Sequence, residues 1–367
     1  MTSKQLKKNN LKTIPTVNSQ IKLFHPGLKD LLLLEQYCNR KIGFLSIETP
    51  LPHWLKKFTQ LLPSYALGLH LRREYRHLAM GIKALKTNNC DTFFVFEAYN
   101  QHLLLLLPLL SLTRKDIVIM LHGNQQFAIH NKLKYSGLLY LKLFLILFKR
   151  FKVILLELDD HLFPEYVRLP ENSKIIMPHP LVEELTPSLP LGTRIPITDK
   201  IKIGIVGIIR ADKPIGKLIA TLLEFCQNNT EVELIIGTPI QQKPAYLDEL
   251  DVQIYDTTQE ADYFQTLREI DILIAYYDRD RYYYRTSGVI SDGGSAGCYI
   301  LASDYPIIKQ QINYPVPIGE TFTNFDELPS KITQAIAFIR THGRDNHWLW
   351  REKRTAESIA QIVFPEG

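Results

Sequence analysis

The sequence has few cysteines, little net charge and no targeting segment. Its four cysteines (Cys38, Cys90, Cys226 and Cys298) lie far apart and form no CxxC pair. That spacing excludes a disulfide framework or a cysteine zinc site and fits a reducing compartment. A formal charge of +5 fits an anionic small substrate or a membrane surface, but it is too weak and scattered for nucleic acid. No apolar stretch follows the basic first ten residues, so we expect no signal peptide and a cytoplasmic protein.

Long uninterrupted apolar runs are also absent. The most apolar segment, 138–156, is broken by Lys142, Lys149, Arg150 and Lys152, whereas a spanning helix needs about 20 mostly apolar residues. We therefore predict a helix that ends near Arg150, followed by a strand. This helix either packs in the core or lies, apolar and basic, on the inner face of a membrane. The sequence shows no solenoid-type repeat.

Short apolar runs alternate with segments of helical spacing along most of the chain, which is typical of parallel sheets covered by helices on both faces. We predict strands at 41–47, 91–96, 116–121, 152–156, 173–177, 202–206, 232–236, 251–255, 271–275 and 298–302. We predict helices at 53–62, 69–85, 101–112, 135–150, 215–228, 262–269, 329–340 and 348–363.

The length of 367 residues suits two domains, and a proline-rich segment without periodicity separates two similar α/β halves. We predict a first domain at 1–182 with a loose lead at 1–20, a linker at 183–200, a second domain at 201–345, and a final segment at 346–367 whose helix returns to the first domain. Two such halves place a ligand cleft between them, at the carboxyl ends of the strands.

The stretch 285–304 carries the strongest local signal. Ser287 is a helix N-cap, Gly297 ends the helix near Ala296, and a buried strand follows at once. The free N–H groups at the start of this helix are suited to an anion such as phosphate. The carboxylate of Asp292, farther along the helix, can accept hydrogen bonds from a sugar hydroxyl.

The second half resembles the nucleotide-sugar-binding domain of glycosyltransferases with the GT-B fold, in particular family 4. The resemblance rests on an ordered series: Gly204-Ile-Val-Gly207-Ile-Ile-Arg210, then Lys213 or Lys217, Leu234-Ile-Ile-Gly237, Asp271-Ile-Leu-Ile-Ala275, Ser287-Gly288-Val289-Ile-Ser-Asp292 and Ile300-Leu-Ala-Ser-Asp304. In the first half, His122-Gly123 after a strand resembles the acceptor-side histidine of the family. The resemblance implies two Rossmann-like doubly wound domains that face each other across a cleft.

The resemblance also implies roles for individual residues. Arg210 and Lys213 would neutralise the diphosphate leaving group without a metal ion, and His122 would contact the transferred sugar or move a proton. Asp292 would bind the ribose. The remaining donor-binding residues would be Gly207, Lys217, Gly237, Arg285, Ser287, Gly288 and Val289. The expected substrates are a nucleotide-diphospho-sugar and a saccharide or lipid-linked acceptor in cell-surface polysaccharide or glycan synthesis, with no separate cofactor.

One departure from the family keeps alternatives open. The family has two acids eight positions apart, and here Tyr284 stands at the first position and Asp292 at the second. The alternatives are a nucleotide-sugar epimerase on the same fold and a catalytically silent subunit that binds a sugar nucleotide or a partner. Asp278-Arg-Asp280 and Asp159-Asp160-His161 look like metal ligands, but we expect no metal site at either.

Overall fold

The chain folds around two parallel β-sheets, one of five strands and one of six. The structure, a computed structural model, describes residues 30–46, 50–96, 103–130, 133–185, 200–209, 215–250 and 252–365. This α/β architecture with two parallel sheets was predicted from the alternation of apolar runs and helices, and it is confirmed.

The first sheet contains five strands in chain order. They are β1 (Ile42–Leu45), β2 (Thr92–Val95), β3 (Asp116–Met120), β4 (Phe151–Leu156) and β5 (Lys174–Met177). The helices between them are α1 (His53–Gln60), α2 (Tyr65–Lys86), α3 (Leu106–Leu112), α4 (Asn124–His130) and α5 (Ser136–Leu147). In the register, Phe94 of β2 lies between Phe44 and Val118 of its neighbours.

The second sheet contains β6 (Ile201–Val206), β7 (Val232–Thr238), β8 (Gln253–Asp256), β9 (Ile272–Ala275), β10 (Tyr299–Ser303) and β11 (Gly319–Phe322). Their order is β11-β10-β9-β6-β7-β8. Strands β7 and β8 lie on one side of β6, and β9, β10 and β11 lie on the other. The neighbours β6 and β9 pair with Ile203 opposite Ile272. In doubly wound sheets of this order, ligands bind beyond the carboxyl ends of the two strands at the reversal.

The helices of the second half are α6 (Ile215–Asn228), α7 (Glu260–Glu269), α8 (Arg279–Tyr282), α9 (Gly288–Ala296), α10 (Pro306–Asn313), α11 (Leu328–His342), α12 (Asp345–Glu352) and α13 (Ala356–Val363). One core joins α6 and α11 to the second sheet, and another joins α7, α9 and α10 to its opposite face. The second half therefore carries helices on both faces of its sheet.

Both faces of the first sheet are also covered. Side chains of α2, α3 and α5 fill one core. On the opposite face, Ile359 and Val363 of α13 pack with Phe44, Phe94 and other strand residues. The last helix of the chain thus lies on the first sheet. No helix in the described ranges has the length and apolar character that crossing a membrane requires.

The single helix predicted at 348–363 is wrong, because the segment contains two helices, α12 and α13. The side-chain oxygen of Thr355 accepts a hydrogen bond from the Ser358 N–H at 3.2 Å and starts α13. Arg354, just before this cap, is fully buried between the two helices. The helix predicted at 101–112 begins at Leu106 within the described residues. The elements β11, α4, α8 and α10 were not predicted.

Candidate active site

The loop that leaves β6 lies against the start of α9. Gly207 has a φ of +114°, and its N–H donates to the carbonyl oxygen of Gly237 at 2.9 Å. A Cβ atom at Gly207 would lie 3.8 Å from Val289 Cγ2. The reversal of strand order therefore brings together two of the predicted donor-binding segments, around Gly207 and around Val289.

Ser287 forms the cap that the sequence predicted for α9. Its hydroxyl oxygen accepts a hydrogen bond from the Ile290 N–H at 3.3 Å, and Gly297 ends the helix with a φ of +91°. The Ser287 N–H donates to Gln311 Oε1 at 3.0 Å, and Gln311 Nε2 donates back to the Ser287 carbonyl oxygen at 2.8 Å. Both backbone groups of Ser287 are thus engaged by Gln311, and its predicted place in a phosphate contact stays a prediction.

Two N–H groups at the helix start have no hydrogen-bond partner among the residues that the structure describes, those of Gly288 and Val289. First-turn N–H groups of a helix point outward along its axis and carry the positive end of the helix dipole. Both residues are partly exposed. They offer donors for an anion at the carboxyl edge of the second sheet, next to Gly207.

Asp292 lies one turn farther along α9 and is fully buried. Its Oδ2 accepts a hydrogen bond from the Tyr263 hydroxyl of α7 at 2.7 Å. Burial, and then the charge of Asp292, raise the pKa of Tyr263 well above its usual value, so the phenol keeps its proton and donates. The carboxylate therefore joins α7 to α9, and its predicted contact with a ribose stays a prediction.

Arg285 of the second domain lies against the turn of the first domain that contains His122 and Gly123. His122 and Gly123 follow β3, and Gly123 has a φ of +70°. A Cβ atom at Gly123 would lie 3.4 Å from Arg285 Cδ. The guanidinium carbon of Arg285 lies 5.4 Å from the centre of the Tyr282 ring. A predicted donor-binding residue of the second domain thus lies against the turn that carries the predicted acceptor-side histidine.

Gln126 of α4 holds the same loop from the first domain. Its Nε2 donates to the Asp280 carbonyl oxygen at 2.7 Å, and its Oε1 accepts from the Tyr284 N–H at 2.7 Å. The ring of Tyr284, where the family has an acid, packs against Phe163 with 4.8 Å between ring centres. Tyr284 therefore serves as a contact between the domains.

The remaining residues predicted to bind the donor do not form one group in the described part of the structure. Arg210 and Lys213 lie outside the described residues. Lys217 is exposed on α6, with its Nζ 5.8 Å from the centre of the Phe325 ring. The side of Gly237 on which a Cβ would stand faces Thr266 of α7, at 2.9 Å from its methyl group. The close packing of α7 accounts for a glycine at that position.

A buried polar network connects Glu157, which follows β4, to the α9 cap. Arg354 donates through one guanidinium nitrogen to Glu157 Oε2 at 3.0 Å and to the Gln311 carbonyl oxygen at 2.9 Å. Gln311 in turn holds Ser287 and donates to Ser291 Oγ at 2.9 Å. Burial, opposed by the charge of Arg354, raises the pKa of Glu157. Neither Gln311 nor Gln126 was predicted from the sequence, because the helices that carry them, α10 and α4, were not predicted and their partners are distant in the chain.

The two segments with a metal-ligand appearance have other partners. Asp278 Oδ1 accepts from the Asp280 N–H at 2.8 Å and caps α8. Lys174 Nζ lies 2.7 Å from Asp159 and 2.9 Å from Asp160. Burial by itself would lower the pKa of Lys174. The hydrogen bonds to the carboxylates outweigh the effect of burial, so the pKa of the lysine is raised. Within the described ranges, no three His, Cys, Asp or Glu side chains are grouped so as to hold a metal ion.

No protein-family model matches the sequence, and no curated protein matches it either. Among solved structures, the chain is similar to the sucrose-phosphate synthase of Thermosynechococcus elongatus, with 12% identity over 86% of this chain and 79% of that one, at a TM-score of 0.53. It is also similar to the α,α-trehalose 6-phosphate synthase of Burkholderia multivorans, with 11% identity over 84% and 77% of the two chains and a TM-score of 0.50. A third similar structure is the pneumococcal O-GlcNAc transferase GtfA, with 11% identity, 79% and 58% coverage and a TM-score of 0.50.

These similarities define the class of fold. The neighbours are GT-B glycosyltransferases, so the GT-B architecture predicted from the sequence is confirmed. The chain spans 58% of the length of the pneumococcal transferase. It spans 54% of a Streptococcus pneumoniae accessory secretory protein structure, with 13% identity over 78% of this chain and a TM-score of 0.48. At such identities the fold is shared, while substrate and activity need separate arguments.

Proposed function

We propose that the protein is a metal-independent glycosyltransferase that moves a sugar from a nucleotide-diphospho-sugar to a saccharide or lipid-linked acceptor. The observation that carries the proposal is the pair of unpartnered N–H groups of Gly288 and Val289 among the described residues, beside Gly207 at the strand reversal. This is where a doubly wound sheet binds a phosphate-containing ligand. The GT-B architecture supports it, as does the neighbour described in complex with UDP and GlcNAc.

In the reaction, the bond between the anomeric carbon and the diphosphate breaks, and the nucleoside diphosphate leaves with the electron pair. The acceptor oxygen forms the new bond to that carbon and loses its proton. Arg210, Lys213 and the two N–H groups of α9 stabilise the charge that develops on the leaving diphosphate. Lys217 and Arg285 add positive charge near the donor. Asp292 is the acid proposed for the ribose, and the hydrogen bond from Tyr263 positions its carboxylate.

His122 is proposed to lie at the reacting centre. It follows β3 at the carboxyl edge of the first sheet, and Arg285 from the second domain lies against the adjacent Gly123. An imidazole has a reference pKa near 6.5, which suits either a hydrogen bond to the transferred sugar or transfer of the acceptor proton. Closure of the domains on the donor would exclude water from this centre. We place the reaction in the cytoplasm, in the synthesis of cell-surface polysaccharide or glycan.

A thermal-shift screen with UDP-, GDP- and other nucleotide sugars, followed by a donor-hydrolysis assay, tests the proposal. At least one donor should raise the melting temperature. An Arg210→Ala variant should bind that donor about 10- to 100-fold more weakly, since a hydrogen bond to a charged group contributes about 1.5–3 kcal/mol. The matched control is Arg268→Ala on α7, whose guanidinium donates to the Glu184 carbonyl oxygen. Unchanged donor affinity in Arg210→Ala would refute the role of Arg210.

One observation favours a second candidate, a sugar-nucleotide-binding subunit without catalytic turnover. Tyr284 replaces the first acid of the family and packs against Phe163 of the first domain. Donor binding without turnover, in the presence of lipid-linked acceptors, would support this candidate and exclude the transferase.

A further inference from the structure

The outer side of the first domain is formed by one layer of helices, α1, α2, α3 and α5, which we call the helix face. These helices are joined side by side by three contacts: Arg72 to Thr59, Gly81 against Leu109, and the Tyr140 hydroxyl to the Leu104 carbonyl oxygen at 3.4 Å. The inner sides of α2, α3 and α5 fill the core against the first sheet, and α1 packs on α2. The helix face is therefore a continuous surface on one side of the molecule.

The helix face exposes large apolar side chains where a solvated helix would be polar. On α5, Leu143, Ile146 and Leu147 are 49%, 59% and 62% exposed, although the opposite side of the same helix is buried in the core. On α1, Trp54 and Phe58 are 64% and 51% exposed. Apolar exposure concentrated on one side of a protein marks an interaction surface.

The second domain provides the internal comparison. Its described residues include five exposed large apolar side chains, spread over several elements: Ile208, Ile240, Tyr246, Tyr314 and Leu349. The other exposed large apolar side chains among the described residues all lie in the first domain, so their concentration is a property of that domain.

The charge of the helix face has a single sign. Segments 50–73, 75–90, 103–115 and 133–156 contain no aspartate or glutamate, and Glu74 between the first two is buried. The exposed charges on these helices are cationic and include Lys56, Lys57, Lys83 and Lys86, and the exposed Lys149 follows α5. Since the whole chain has 38 acidic and 43 basic residues, composition alone does not produce this segregation.

From these observations we propose that the helix face docks on an anionic lipid bilayer. Exposed apolar side chains among lysines are suited to a surface that is negatively charged outside and apolar beneath. Trp54 stands among the lysines of α1, and tryptophan is favoured at the membrane–water boundary. The helices would lie in the plane of the interface, since α5 has only 12 residues. This inference goes beyond the proposed function and does not depend on catalytic turnover.

Flotation of the full chain with lipid vesicles tests the inference. The protein should float with phosphatidylcholine vesicles that contain phosphatidylglycerol, at least tenfold more strongly than with phosphatidylcholine alone, and added salt should weaken the binding. Lys56→Gln/Lys57→Gln should weaken it about 30-fold, since each basic residue near an anionic surface contributes about 1 kcal/mol. Ile146→Ser/Leu147→Ser should weaken it at least tenfold. The matched control, Ile240→Ser/Tyr246→Ser on the second domain, should float like the wild type.

Tryptophan fluorescence gives a second measurement. Of the three tryptophans, Trp54 is exposed, Trp348 is partly buried and Trp350 is fully buried. Since Trp54 alone lies on the helix face, anionic vesicles should shift its emission to shorter wavelength. The shift should be lost in Trp54→Phe.

Three outcomes would overturn the inference: no binding to anionic vesicles, equal loss in the control variant, or a change in oligomeric mass in the helix-face variants without vesicle binding. The last outcome would identify a protein interface. Nucleotide-sugar binding measured in solution on the same variants should be unchanged, so failure of the docking surface is distinguishable from failure of the proposed donor site.

Discussion

Glu157 and Arg354 form an ion pair at 3.0 Å in which both side chains are fully buried, although 197 residues separate them in the chain. Glu157 follows β4 of the first sheet, and Arg354 lies between α12 and α13. The pair therefore fixes the C-terminal segment to the first domain close to the edge that carries the candidate site.

Replacing one member of this pair should be costly. Arg354→Met should lower the free energy of unfolding by about 3–5 kcal/mol, because it leaves the Glu157 carboxylate buried without its cation. The double variant Glu157→Gln/Arg354→Met should lose less than the sum of the two single variants. Urea unfolding of the four proteins measures the coupling. A loss below about 1 kcal/mol in Arg354→Met would contradict the importance of the pair.

Gln311 should matter for donor binding through the position of α9, although it does not line the site. Gln311→Ala removes both hydrogen bonds to the Ser287 backbone. Since each buried group left unsatisfied costs about 1–3 kcal/mol, we expect lower stability and about tenfold weaker binding of the nucleotide sugar. The neighbouring Gln310→Ala is the matched control. Calorimetric titration checks the affinity, and a stability loss without any loss of affinity would limit Gln311 to a structural role.

Gly207→Ala should be destabilising because of backbone conformation. A φ of +114° is unfavourable for any residue with a Cβ, so we expect a loss of about 1–3 kcal/mol. Gly216→Ala on α6 is the control, because a Cβ there has no heavy atom within 4 Å and alanine favours a helix by about 1 kcal/mol. Thermal unfolding should move the two variants in opposite directions.

His347 should contribute a loss of stability on mild acidification. Its burial lowers the pKa to about 3, and its Nε2 lies 2.8 Å from the Cys298 carbonyl oxygen. In the unfolded chain the imidazole binds a proton below a pH of about 6.5, while in the folded chain it stays neutral, so stability falls as the pH drops from that value toward 3.

Between pH 7.5 and 5.5 this one group should cost about 1.4 kcal/mol. Urea unfolding at both pH values should show that the pH-dependent loss is smaller by this amount in His347→Gln than in the wild type. An equal loss in both proteins would show that the folded-state pKa of His347 is not depressed.

The elements that the sequence predicts well are those with a local signal. Apolar runs located ten strands, because strands buried on both faces cannot alternate with polar residues. Ser287 and Gly297 located α9, because caps depend on the residue at the helix end and on little else. The GT-B fold was implied by the resemblance of an ordered series of motifs to glycosyltransferases of that fold, whereas the order of the elements predicted two α/β halves.

Residues whose roles depend on distant partners were not predicted. Gln311 acts on a segment 24 residues away, and Gln126 contacts Tyr284 at a separation of 158 residues. In the sequence alone, neither glutamine can be told apart from a glutamine on the solvent-exposed face of a helix. Arg354 lies within the segment 348–363 that was predicted to be helical, and no local pattern there indicates its buried ion pair with Glu157, 197 residues away.

The packing of α13 on the first sheet has a consequence for how the protein is made. During synthesis, strands β1 to β5 leave the ribosome long before Ile359 and Val363, which cover one of their faces. Until α13 arrives, Phe44, Phe94 and their neighbours are covered on this face only in part, by Leu31 and Leu34 of the segment before β1. The first domain therefore completes its fold only after the second domain has been translated, and a stop codon shortly before residue 356 would remove this cover while leaving the proposed donor-binding segments intact.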